Sequence, residues 1–105
     1  MKKILFILIG IIITQASLAD ERCDIWLETA QSVMAARQKG VSITNLMALV
    51  DKNDDGTVKV AINVDAIKKM IVDAYNSPLK SSDQERKELM VEFGNKYYLV
   101  CFNDT

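Results

Sequence analysis

Asp24-Ile25-Trp26-Leu27-Glu28-Thr29-Ala30-Gln31-Ser32-Val33-Met34-Ala35-Ala36-Arg37-Gln38-Lys39-Gly40 is the stretch that decides the fold. Trp26, Leu27, Ala30, Val33 and Met34 recur at the three- and four-residue intervals that place side chains on one face of an α-helix. Gly40 follows as a C-terminal stop, because glycine takes the left-handed conformation in which helices commonly end. The stretch therefore predicts a first helix with one buried face.

Three further helices are predicted downstream. Ser42 or Thr44 can cap a short second helix carrying Ile43, Leu46, Met47 and Val50, which stops where the polar run Asp51-Lys52-Asn53-Asp54-Asp55-Gly56 begins. Residues Thr57 to Ile62 alternate in a strand-like way, but a lone strand has no partner in this chain, so the segment reads as loop or frayed helix start. Asn63 or Asp65 opens a third helix with Ile67, Met70, Ile71, Ala74 and Tyr75 inward, closed by Asn76-Ser77-Pro78. Ser82-Asp83-Gln84-Glu85 has the spacing of a capping box, and the fourth helix behind it places Leu89, Met90, Phe93, Tyr97, Val100 and Cys101 on one face. The expected fold is all-α, a small four-helix array whose first and last helices pack together.

Upstream of the first helix, Lys2 and Lys3 precede an apolar run from Ile4 to Ile13, then Ser17-Leu18-Ala19 and the charged Asp20-Glu21-Arg22. A basic start, a short apolar core and a small-residue cleavage site make a secretory signal peptide over residues 1–19. The apolar run is about half of the roughly 20 residues that a spanning helix needs, so no membrane span is expected after cleavage. A lipoprotein is excluded, since the charged Asp20-Glu21-Arg22 stands before Cys23 where a small-residue motif would be required. The mature chain, residues 20–105, is expected to form one disulfide-clamped helical domain in the periplasm or outside the cell.

An exported chain meets oxidising conditions, and Cys23 and Cys101 are its only cysteines. Joining them closes nearly the whole mature chain into a loop, which on a chain-entropy argument stabilises the fold by roughly 4 to 5 kcal/mol. Redox-active pairs sit close together in sequence, as in Cys-x-x-Cys, so the role expected here is structural.

Composition excludes several function classes. Loss of the two leader lysines leaves eleven basic and fourteen acidic residues, a net charge of −3, which gives nucleic acid no electrostatic footprint. The chain has no histidine and its two thiols are assigned to a disulfide, which rules out Ser-His and Cys-His nucleophiles. Glu85, Glu88 and Glu92 share a helix face, but Arg86, Lys87 and Lys96 are interleaved with them, the pattern of a solvated surface. No enzyme is expected.

Two groups of residues are candidates for binding. Asp51-x-Asn53-x-Asp55-Gly56 matches the first half of an EF-hand loop, whose oxygens at positions one, three and five suit calcium. Position twelve, where a bidentate glutamate completes the shell, is Ile62, so the site would be weak and the plainer reading, an Asx- and Gly-rich turn, is preferred. Arg37 and Gln38 at the end of the first helix, with Tyr97 and Tyr98 near the end of the fourth, are residue types that anchor protein interfaces. Each also has an internal reading: a basic residue complements a helix C-terminus, and one of two adjacent tyrosines faces the core.

An early cysteine, Met34-Ala35-Ala36-Arg37-Gln38-Lys39-Gly40, Ile71-Val72-Asp73-Ala74-Tyr75 with Pro78, then Phe93 and a late cysteine form a pattern spread over most of residues 23–101. The chain thereby resembles a group of small, uncharacterised exported proteins of bacteriophages, prophages and their Gram-negative hosts. The resemblance implies a periplasmic setting and a phage or prophage origin, and brings no activity with it. The Asp51 to Asp65 segment departs from the group, in which the corresponding link is shorter. The function expected is a periplasmic protein-interaction domain whose partner is an unidentified protein, with a weak calcium module as the alternative.

Overall fold

The computed structural model describes residues 21–52 and 62–103. Among them are four helices and no strand: α1 (residues 21–38), α2 (Ile43–Lys52), α3 (Val64–Tyr75) and α4 (Asp83–Asn103). Residues 1–20, with the expected signal peptide, residues 53–61, with Asn53 and Asp55 of the calcium candidate, and residues 104–105 lie outside the described residues. None of the described helices is long and apolar enough to cross a membrane.

The helix ends follow local chemistry. Gly40 has φ +86°, and its N–H donates to the Arg37 carbonyl at 3.1 Å while the Val41 N–H reaches back to Ala36 at 3.1 Å. That pair of bonds satisfies two carbonyls that the end of α1 would otherwise leave open. Ser42, not Thr44, caps α2, accepting the Asn45 N–H at 3.2 Å. Asn63 caps α3 by accepting the Ala66 N–H at 2.7 Å. Ser82 accepts the Glu85 N–H at 3.1 Å and donates its own hydroxyl to the Glu85 carboxylate at 3.0 Å. One expected boundary moves: α2 runs on through Asp51 and Lys52, and the exposed Asp51 carboxylate pairs with Lys68 of α3 at 2.7 Å.

The core is shared by three helices. Ala30, Val33 and Met34 of α1 meet Met70, Ile71 and Ala74 of α3 and Phe93 and Tyr97 of α4, with Ile62 inserted from the start of α3. Helix α2 buries none of its residues fully; it packs on α3 and lays Ile43, Leu46, Met47 and Val50 over the core as a cover. Helices α1 and α4 approach closely where Gly94 meets Gln31, since a Cβ on Gly94 would lie 2.7 Å from Gln31 Cγ. A side chain at position 94 would displace Gln31 or push the two helices apart.

A disulfide joins Cys23 in α1 to Cys101 in α4 with their Cα atoms 5.5 Å apart, as the sequence leads one to expect. Both residues are almost fully buried, at 1% and 2% exposure, so a reductant reaches the sulfurs only when this end of the α1/α4 pair opens. Cys23→Ser with Cys101→Ser should cost about 4 kcal/mol. For a domain of this size that lowers the melting temperature by at least about 15 °C, measured by circular dichroism with and without the bond. An unchanged melt would mean that α1 and α4 hold together without the clamp.

Candidate interaction face

The residues singled out from the sequence divide into those that hold the fold and those that reach its surface. Arg37 lies over the Tyr75 ring, 5.1 Å from its centre, and donates from Nε and Nη2 to the Ser77 carbonyl at 3.3 and 3.1 Å. Gln38 donates to the Pro78 carbonyl at 3.0 Å and accepts the Lys80 N–H at 2.9 Å. The end of α1 thus supplies partners for the linker between α3 and α4, whose backbone groups no regular element satisfies. The Tyr75 hydroxyl completes the grip by donating to the Val41 carbonyl.

Tyr97 and Tyr98 separate as adjacent helical residues must. Tyr97 turns into the core against Phe93, ring centres 5.1 Å apart, while Tyr98 is half-buried and stacks on Phe102 at 6.0 Å. Of the calcium candidates, Asp51 is exposed and salt-bridged to Lys68, whereas Asn53 and Asp55 lie outside the described residues. Among the described residues no three carboxylates or cysteines gather as a metal site would require.

Sequence reading missed a polar cluster between α3 and α4. Asp73 Oδ2 accepts the Tyr97 hydroxyl at 2.8 Å and pairs with the Lys96 ammonium, which also sits 5.6 Å from the Tyr97 ring centre. Burial on its own would raise the Asp73 pKa, but the Lys96 and Tyr97 hydrogen bonds and the lysine charge outweigh it and hold the carboxyl below its ordinary 3.8. Burial first, then the bond to the Asp73 carboxylate and its charge, push the Tyr97 phenol well above its ordinary 10.0. The only sequence signal was Asp73 on the flank of a helix that otherwise faces the core, and its partners lie more than twenty residues away.

The surface feature with reach is on α4. Its apolar residues do not stop at one face: Val91, Leu99 and Phe102 stand 47%, 59% and 49% exposed, and Tyr98 lies between them. Val91, Tyr98 and Phe102 follow the seven- and four-residue steps of a second helical seam, so α4 is apolar towards the core and again along this outer line. Ahead of the seam, the start of α4 and the end of α1 border an open cleft of about 370 Å³. Ala35 and Met90 give it apolar lining, and Lys39 and Lys87 stand at its edge. Arg86 also lines it, with its guanidinium occupied by the Lys80 carbonyl and the Asp83 carboxylate.

The polar cluster yields a pH dependence with opposite signs at its two ends. Asp73, with its lowered folded pKa, stabilises the fold above pH 3.8, and that contribution is lost as pH falls below this value. Tyr97, with its raised folded pKa, stabilises below pH 10.0, and that contribution is lost as pH climbs past it. Tyr97→Phe keeps the ring in the core and should cost about 1 kcal/mol at neutral pH, a modest figure because water screens the part-exposed carboxylate. Urea melts from pH 3 to 11 should also lose part of the alkaline decline in the variant. Identical pH profiles for the two proteins would remove the cluster from the stability argument.

Comparison with known proteins finds no matching family model, no matching curated protein and no matching solved structure, so a functional reading rests on this chain's own geometry.

Proposed function

We propose that the chain is an exported, periplasmic protein-interaction domain of phage or prophage origin that docks a protein partner on the outer face of α4. The observation that carries the reading is the exposure of Val91 and Leu99 on the outer side of a helix whose core face is already filled. Large apolar side chains aligned on one surface helix favour a partner that removes them from water, at about 25 cal/mol for each Å² covered. The clamp supports the reading too: a disulfide suits an oxidising compartment and fixes the seam on a rigid element, which lowers the ordering cost of docking. Binding rather than catalysis is the reading, because the sequence has no histidine and its two thiols are joined to each other.

The test is photo-crosslinking in the intact cell. A photoreactive residue at Val91 or Leu99 should give discrete protein adducts. The same residue at Val72, equally exposed and apolar but on α3, should give few. Equal labelling at all three positions, or none at Val91 and Leu99, would overturn the reading.

A further inference from the structure

The folded domain offers an oxidant few soft groups. Its two cysteines are joined to each other and almost fully buried, so no thiol is free, and the sequence holds no histidine. The methionine thioethers are then the side chains that a two-electron oxidant converts most readily. Each described helix carries one of them: Met34 in α1, Met47 in α2, Met70 in α3 and Met90 in α4.

Burial divides the four. Met34 and Met70 are 0% exposed and sit inside the cluster that α1, α3 and α4 share, and the Met34 sulfur also accepts the Gln38 side-chain N–H at 3.7 Å. Sulfurs held this way are reached only when the core opens. Met47 and Met90 are half-buried and pack against the cluster from outside. Met90 in addition lines the open cleft of about 370 Å³ together with Ala35 of α1. A water molecule occupies roughly 30 Å³ of the liquid, and hydrogen peroxide has only one oxygen more, so the cleft admits it with room to spare.

We infer that Met90 is an oxidation site of the folded protein, where a peroxide entering the cleft converts the thioether to the sulfoxide and loosens the start of α4 from the end of α1. The sulfur lone pair attacks one peroxide oxygen, the O–O bond breaks and an S–O bond forms. Sulfur gives up two electrons, and the second oxygen leaves as hydroxide and collects the proton of the first, giving water. The product is polar where a flexible apolar side chain had packed. Hydrogen-bond donors for its new oxygen lie on the cleft side: water, and the Lys87 ammonium one helical turn away. The oxidised side chain is therefore drawn towards the cleft and away from the core. Oxidation at Met47 acts elsewhere, on the cover that α2 lays over the core. The inference does not depend on what docks on α4.

The test treats the full chain, expressed with its own leader and disulfide-bonded, with hydrogen peroxide, and follows each methionine by peptide mass spectrometry. Met47→Leu is carried throughout, so that Met90 is the one half-buried methionine left among the described residues; leucine is close to methionine in volume and keeps the packing. Met90 should take up one oxygen at least about tenfold faster than Met34 or Met70, and the gap should close in urea. The treated protein should then melt at least about 4 °C below the untreated one, and Met90→Leu in the same background should remove that shift. Equal rates at Met34, Met70 and Met90 in the folded protein would overturn the inference. So would a melting shift that persists in Met90→Leu, or no shift once Met90 is oxidised.

Discussion

The bond between Cys23 and Cys101 sets the geometry on which the rest depends, because it holds the first described turn of α1 against the last turns of α4. Nothing in the chain between them needs to bring these ends together once the bond has formed, and a domain this small has little core with which to do so. With one end pinned, the Gln31–Gly94 contact half-way along determines how closely the two helices run. Beyond it an open cleft lies between the end of α1 and the start of α4, lined by Ala35 and Met90.

At the open end, polar contacts take over the job that the disulfide does at the other. Arg37, Gln38 and Tyr75 bind the carbonyls of Ser77, Pro78 and Val41, so the end of α1, the turn into α2 and the linker into α4 form one hydrogen-bonded unit. Proline at 78 fixes its own backbone angle and donates nothing, which limits the shapes the linker can take and leaves its carbonyl for Gln38. Between the two ends, Asp73 draws α3 to α4 through Tyr97 and Lys96. Among the described residues the interior holds no buried side-chain polar atom without a partner.

How much of this could be read from the sequence depends on the range of the interaction involved. Gly40, Ser42, Asn63 and Ser82 act on backbone groups within a few residues, so spacing placed the end of α1 and the start of α4 and narrowed the other two caps to Ser42 or Thr44 and Asn63 or Asp65, of which the fold uses Ser42 and Asn63. The disulfide was legible because two cysteines allow a single intramolecular pairing. Arg37 and Gln38 stood out as residue types, but their bonds reach a linker 40 positions away, and only the packed fold brings that linker alongside. The second seam of α4 was hidden for a different reason. A search for one amphipathic face accounts for Leu89, Phe93 and Tyr97 and leaves Val91, Leu99 and Phe102 as surplus, and surplus apolar residues on a helix gain meaning only once the core is seen to be full without them.

That surplus also bears on why α4 is long. Its 21 residues carry it about 30 Å, from the capped Ser82 turn to the cysteine clamp, along the full length of its pairing with α1. A helix serving only the core could leave its outward side polar, with nothing lost from Ala30, Met34, Phe93 or Tyr97. The outward Val91 and Leu99 add nothing to that interior, and in water they are a solubility cost. Side chains that cost solubility and bring no internal packing find their physical justification in a complex, where the rigidity imposed by the disulfide keeps them in line for whatever covers them.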